Sequence, residues 1–474
     1  MTKRRHLLTA LALTIAAPAA AQAATQVYDG RLIDGSGAAP IARGRVVVAD
    51  GRIVCAGSQR ACPVPAGAER ISAGTGTIMP GLIDLHVHPR PHYVAWFPAA
   101  GVTTIRIATI SPDMLAAVRA VPATVPRIFA AGSMIDGPNT IILRFFADAP
   151  EEARRAMIHP PGHGPLGPTE VLTVSTPAEA RAAVEEEVAA GAQWIKLYER
   201  LPPAAYAAAT ARARQLGVPV MTDLGMMFTR AFDGAEVDAV QAADMGITTL
   251  EHGSGLALAY RRAGGDPRAA TLDPAIVRRL AEALRRHNVT LVPTLSVFDG
   301  IAEEPAYDLG ASGLPMADAT GEAADGLRAQ WSAIYSGSAS SRPQAQADIR
   351  LVTAVMRQFL AMGGRVGAGS DTPAGSWNLP GGGLHHELEL LVAAGLTPLQ
   401  AIHAATGGAA EILRSRDVGL LARGRVADLL IVDGDPSRDI RTTRRLVSVV
   451  IGGRRYDPAE LRRVALTVPV PQRR

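Results

Sequence analysis

Lysine is nearly absent from this chain. Of its 48 basic residues only Lys3 and Lys196 are lysines, and every other one is arginine. A bias toward arginine explains surface positions, where either cation serves, but not why Lys196 stays a lysine. The two differ decisively, because lysine can lose its proton when buried and act as a nucleophile, whereas arginine effectively cannot. Lys196 stands in Trp194-Ile195-Lys196-Leu197-Tyr198, which reads as a short buried strand, and a charged residue there needs a reason. The plain alternative is a buried stem with its head reaching water. Aromatic residues are also scarce, at 4%, so helices must pack through abundant Ala and Gly. Cysteine occurs only as Cys55 and Cys62, which leaves open a disulfide in an oxidising compartment or two free buried thiols. Beyond residue 25 no run of ~18 apolar residues occurs, which excludes a membrane-spanning helix after the N-terminus. No dense basic run interleaved with aromatics occurs either, which argues against nucleic acid as a partner.

What is present begins with a leader. Lys3, Arg4 and Arg5 are followed by an apolar run, Leu7 to Ala17, and by Ala21-Gln22-Ala23, the small-x-small pattern of a secretory cleavage site. Residues 1–23 are therefore expected to be a signal peptide and the protein to be exported, to the periplasm. The leader carries three basic and no acidic residues, so most of the formal charge of +4 leaves with it. The rest is long enough for one large core and a small satellite domain. Segments 24–80 and 411–474 carry short strands and Gly turns, with Asp50-Gly51 as a hairpin signal. These two ends are expected to pair into one small β-sandwich.

Between them, over 81–410, apolar strand-like runs alternate with Ala-rich helical runs, the pattern of a parallel α/β barrel. Eight strands are expected: Leu82–His88, Val102–Ile107, Arg127–Ala131, Trp194–Tyr198, Val218–Asp223, Thr248–His252, Thr290–Ser296 and Arg365–Asp371. That is the number a (β/α)8 TIM barrel requires. Residues at the C-terminal strand ends of that fold carry its chemistry. Here those ends hold His86 and His88, Lys196, Asp223, His252 and Asp371. His86 and His88, two apart on a strand, share a face and suit a zinc-like ion. The long connections 136–175 and 299–345 are expected to shape a substrate pocket. Tyr198, on the Lys196 face, and His159, His163 and His385 are further pocket candidates, with packing or solvated loops as their plain alternative.

An ordered set of motifs then carries a resemblance. Met79-Pro80-Gly81-Leu82-Ile83-Asp84-Leu85-His86-Val87-His88, Leu250-Glu251-His252-Gly253, Gly369-Ser370-Asp371-Thr372-Pro373, Leu388-Glu389-Leu390-Leu391 through Thr397-Pro398, and Arg425-Val426-Ala427-Asp428-Leu429 span nearly the whole chain. Together they resemble the amidohydrolase superfamily, in its imidazolonepropionase-related, Xaa-Pro-dipeptidase-like branch. The resemblance implies one or two divalent ions, zinc first. His86, His88 and Asp371 would hold one; Lys196, carboxylated by carbon dioxide, would bridge to a second held by His252. Asp371 would serve as general base. The family's histidine at the end of strand five is absent, and Asp223 is the nearest equivalent; its extra negative charge weakens the Lewis acid. The implied reaction is attack of metal-bound hydroxide on an amide or peptide-like C–N bond of a small-molecule substrate, a dipeptide or cyclic amide. A mononuclear deaminase, a lactonase or esterase, and a metal-poor ligand-binding relative are the alternatives. A homo-oligomer stays open.

Overall fold

The computed structural model describes residues 25–141, 150–162, 171–230, 235–302, 325, 329, 339–374 and 378–469. The expected leader and His163 lie outside the described residues. No helix among those described is long and apolar enough to cross a membrane.

The chain opens with β1 (Gln26–Leu32), β2 (Ile41–Ala49), β3 (Arg52–Ser58) and β4 (Glu69–Pro80), and closes with β16 (Leu429–Val432), β17 (Leu446–Ile451) and β18 (Arg454–Tyr456). These make one mixed seven-stranded sheet in the order β18-β17-β16-β4-β1-β2-β3. The two chain ends therefore do pair, along the antiparallel seam Pro80↔Leu429 to Thr77↔Val432. Alternate residues from both ends, among them Tyr28, Val46, Ile53, Ile78, Leu429, Ile431 and Val450, bury one apolar core. The β2–β3 turn falls at Asp50-Gly51, both in the left-handed conformation, as a tight hairpin requires. Cys55 and Cys62 are joined in a disulfide, which decides between the two alternatives left by the sequence.

β4 runs through Gly81 directly into β5 (Leu82–Val87), the first strand of the parallel part. It is followed by β6 (Val102–Ile107), β7 (Arg127–Ala130), β8 (Met134–Asp136), β9 (Ile158–His159), β10 (Val171–Thr173), β11 (Ile195–Leu197), β12 (Val220–Thr222), β13 (Thr249–Glu251), β14 (Thr290–Val292) and β15 (Arg365–Val366). They form two parallel sheets, β5-β6-β7 and β15-β14-β13-β12-β11-β8-β10-β9. The expected third strand, Arg127–Ala131, is found as β7, and the chain then bends at Gly132 into a further short strand, β8. β7 pairs with β6, whereas β8, after Gly132, pairs with β11 and β10. Gly132 has φ +70°, and a Cβ there would lie 1.9 Å from Glu187 Oε2, so only glycine fits the bend. Glu187 also accepts the Ser133 N–H at 2.9 Å, which holds β8 in place.

Backbone hydrogen bonds run from the first expected strand to the last: Leu85 N to Ala368 O, Asp371 N to His86 O and His88 N to Thr372 O. Ile83 and Leu85 of β5, Trp194 just before β11, Met221 of β12 and Val292 of β14 come from both parallel sheets, yet share one cluster with Ala409 and Ile412 of the helix Gly407–Ile412. A packed core thus lies below the strand ends that carry the polar residues. Helices such as Pro177–Ala189, opened by a capping box at Thr176 and Glu179, lie between them.

Candidate metal centre

Six polar side chains meet at the C-terminal strand ends. His86 Nε2, on β5, lies 3.4 Å from Asp371 Oδ1, and His88 Nε2 lies 3.0 Å from the same oxygen. His252, just after β13, places Nδ1 4.0 Å from Asp371 Oδ2 and Nε2 3.6 Å from Asp223 Oδ2. The rings of His86 and His252 have centroids 4.6 Å apart. Asp223, just after β12, also accepts the Gly225 N–H at 2.9 Å. Lys196, in the middle of β11, is only 2% exposed and lies within electrostatic reach of Asp223, Glu251 and Asp371.

The backbone is unusual at these ends. His252, Thr294 and Asp371 have φ of +62°, +45° and +57°. Side chains other than glycine seldom adopt this region, and such strain gathers at functional sites, where surrounding contacts hold it. Those contacts are present. The Thr294 hydroxyl pairs with His252 Nδ1 at 2.6 Å. The buried Asp84 carboxylate accepts from Ser370 N at 2.9 Å, Ser370 Oγ at 2.5 Å and His86 N at 3.2 Å, tying the Asp371 turn to β5. Burial pushes the Asp84 carboxyl up to about 7.

Charge and burial set the protonation states. Burial, reinforced by Lys196 and the neighbouring histidines, drives His86 well below the ordinary histidine value, so its ring is neutral with a lone pair to give. Burial pushes the Asp371 carboxyl up, but His252, His88 and Lys196 outweigh it and hold it below the ordinary aspartate value. For Lys196, burial lowers the ammonium against the opposing pull of Asp223, Glu251 and Asp371. An unprotonated amine is what carboxylation needs.

The residues fit a cation. His86 Nε2 and Asp371 Oδ1 are buried without a hydrogen-bond partner, which costs free energy unless something else satisfies them. Ligand atoms of His86, His252 and Asp371 lie within 4.8 Å of one another, the one such trio among the described residues. The resemblance implied a different first set, with His88 in place of His252. In the structure His88 stands at the outer side of Asp371, with its side chain 26% exposed.

The other pocket candidates sit differently. Tyr198 packs with Met134, Ile141 and Val171, its ring centroid 5.7 Å from Lys196 Nζ. His159 bonds Ala156 O at 2.9 Å, away from the six. His385 is not brought to them either: it is buried between Thr443 Oγ1 at 2.9 Å and Ala100 O at 2.8 Å, ties the helix Gly382–Ala393 to its surroundings, and is pushed by burial down to about 4. Two residues were missed altogether. Glu251 contacts His86, and Arg106 contacts Glu251, both side chains fully buried. A signal existed, since Arg106 interrupts an apolar strand as Lys196 does.

The amidohydrolase family model matches residues 77–456. Among solved structures, a Xaa-Pro dipeptidase with methionine bound in its active site superposes with a TM-score of 0.63 at 19% identity, covering 92% of this chain and 100% of that one. The ochratoxinase of A. niger superposes with a TM-score of 0.65 at 19% identity, covering 92% of this chain and 96% of that one. A bottromycin amidohydrolase gives 0.63 at 21%, covering 93% and 88%. A search of curated proteins gave no match.

Proposed function

The chain belongs to the amidohydrolase family, and from that premise we propose that it is an exported, metal-dependent hydrolase of amide or peptide-like C–N bonds in small substrates. The observation that carries the reading is the pair of buried atoms without hydrogen-bond partners, His86 Nε2 and Asp371 Oδ1, converging with His252 on one point. Superposition on a Xaa-Pro dipeptidase and an amidohydrolase makes dipeptides the first substrates to try, with the cyclic amides that the resemblance implies beside them. The parallel strands, hydrogen-bonded from first to last, are read as a (β/α)8 barrel, with 81–410 as the catalytic domain and 24–80 plus 411–474 as its β companion. Export is supported by the leader pattern and by the Cys55–Cys62 disulfide, a bond that persists in oxidising compartments.

His86, His88, His252, Asp223 and Asp371 would hold one or two divalent ions, zinc first, with Lys196 joining after its amine adds carbon dioxide and releases a proton. When bound, such an ion polarises a carbonyl and acidifies water. Asp371, ionised and aimed inward, accepts a proton at its carboxylate from the attacking water and returns it to the leaving nitrogen. His88 Nε2, at the more open side, lies 3.0 Å from Asp371 Oδ1, so both atoms are near enough to share one ion.

A single-ion reading, as in a deaminase, lactonase or esterase, is favoured by one observation: only one ligand trio is this tight among the described residues. Metal content per chain separates the two, measured with turnover on a panel of dipeptides, cyclic amides and lactones. We expect close to two ions and turnover that chelation removes and zinc restores. Hydrolysis that survives complete removal of metal would sink the proposal.

A further inference from the structure

His86 has two ring nitrogens, and only Nε2 faces Asp371. Its Nδ1 lies 2.6 Å from Glu251 Oε2. Glu251 sits on β13 immediately before His252, and neighbours on an extended strand face opposite ways. The left-handed backbone of His252 turns the chain there, so both residues serve one site from different sides. Glu251 is fully buried, and its carboxylate is gripped by Arg106 Nη2, at 2.9 Å from each oxygen. It also accepts the Thr249 hydroxyl.

Arg106 is itself immobilised. Nε donates to Leu85 O at 2.5 Å, Nη1 to Thr249 Oγ1 at 3.2 Å, and the guanidinium lies 4.5 Å above the Trp194 ring. Leu85 is the residue before His86, so Arg106 holds the backbone of the histidine and, through Glu251, its ring. A surface ion pair would not need four fixed partners. A planar fork with several donors and a stacking face makes this possible, and lysine could not replace it.

We propose that Glu251 is a positioning residue for the metal centre, accepting the His86 Nδ1–H so that Nε2 is presented as the ligand atom, with Arg106 locking Glu251 in that pose. The inference rests on His86 being a ligand, as read above. A carboxylate behind a ligating histidine fixes the tautomer and ring orientation and raises the donor strength of the other nitrogen.

The test uses cobalt as the spectroscopic probe and zinc affinity as the thermodynamic one. Glu251→Ala alone would leave Arg106 buried without its counter-charge and unfold the barrel for an unrelated reason. The double variant R106M/E251Q removes both charges at similar volume, so the unfolding midpoint of the metal-free protein should stay close to wild type. Its zinc affinity should fall by about 10–100-fold and its cobalt absorption bands should shift. If the double variant does not fold, E251D alone carries the readout, because it keeps the counter-charge of Arg106 while shortening the reach to His86 Nδ1, and it should lower zinc affinity by less than the double variant does. Wild-type affinity and an unchanged cobalt spectrum in both E251D and the double variant would overturn the inference while leaving the metal centre intact. A wild-type protein that takes up no cobalt, with H86A indistinguishable from it, would overturn both.

Discussion

At the scale of single residues, Lys196 and Asp223 are the residues that, on the proposed reading, would decide how many ions the centre holds. Lys196 is buried with its amine held below the usual lysine value, and carboxylation would turn it into an anionic ligand. Lys196→Arg keeps the cation and most of the stem but cannot form a carbamate. We expect this variant to keep no more than one ion per chain and to lose at least ~100-fold in turnover; two ions and near-normal turnover would dismiss the carbamate. Asp223 lies 3.6 Å from His252 and also caps Gly225. If it is a ligand, Asp223→Ala lowers occupancy of the second ion only. Asp223→His removes a negative charge, strengthens the Lewis acid and moves the rise of the pH–rate profile to lower pH. Equal metal content and superimposable profiles in all three proteins would reduce Asp223 to a strand-end cap.

At the scale of elements, a buried acid holds the helix that follows β14. Glu387, on the helix Gly382–Ala393, accepts the Ser296 N–H at 2.9 Å at the start of the helix Leu295–Ala302, and burial raises its pKa to about 8. The folded state therefore keeps a proton that the unfolded chain, near the ordinary value of 4.5, has released. Stability from this group is lost as pH rises from about 4.5 to about 8, by up to ~1.4 kcal/mol per pH unit. Glu387→Gln should gain stability over wild type across that window in denaturant titrations; a gap that does not widen between pH 5 and 8 would refute the assignment. The bend after the third strand is a second element-scale case. Gly132→Ala meets both the left-handed backbone and the Glu187 carboxylate, and should cost more than ~2 kcal/mol of unfolding free energy. A loss within ~0.5 kcal/mol would mean that the bend relaxes freely. Neither feature was legible in the sequence, because each depends on a partner distant along the chain. The first strand end was legible, since Leu82–His88 is a largely apolar run that stops on a polar residue, and the end at His252 was legible from the motif Leu250-Glu251-His252-Gly253. Of the expected strand Arg365–Asp371 only Arg365 and Val366 pair as a ladder. Arg106 was signalled by its place in a strand, but its pairing with Glu251 was not, because nothing in the sequence joins strand two to strand six.

At the scale of the whole molecule, the β sheet and the parallel strands are one mechanical unit. β4 passes through Gly81 into the strand that carries His86, while β16 clamps its last four residues. Deleting residues 425–474 strips that clamp from Thr77–Pro80. Limited proteolysis should then cut within 27–78, which intact protein resists, and metal should be lost as His86 and His88 shift. A truncated protein with an unaltered N-terminal segment would contradict this. The same seam has a consequence for how the chain is made. β1 to β4 leave the ribosome first, yet the strand that covers β4 is among the last elements synthesised. At ~5–20 residues per second the wait is tens of seconds, during which β4 presents an unpaired edge. Production yield should therefore follow how well this waiting half-sheet is kept from pairing with its neighbours, more than how stable the finished enzyme is.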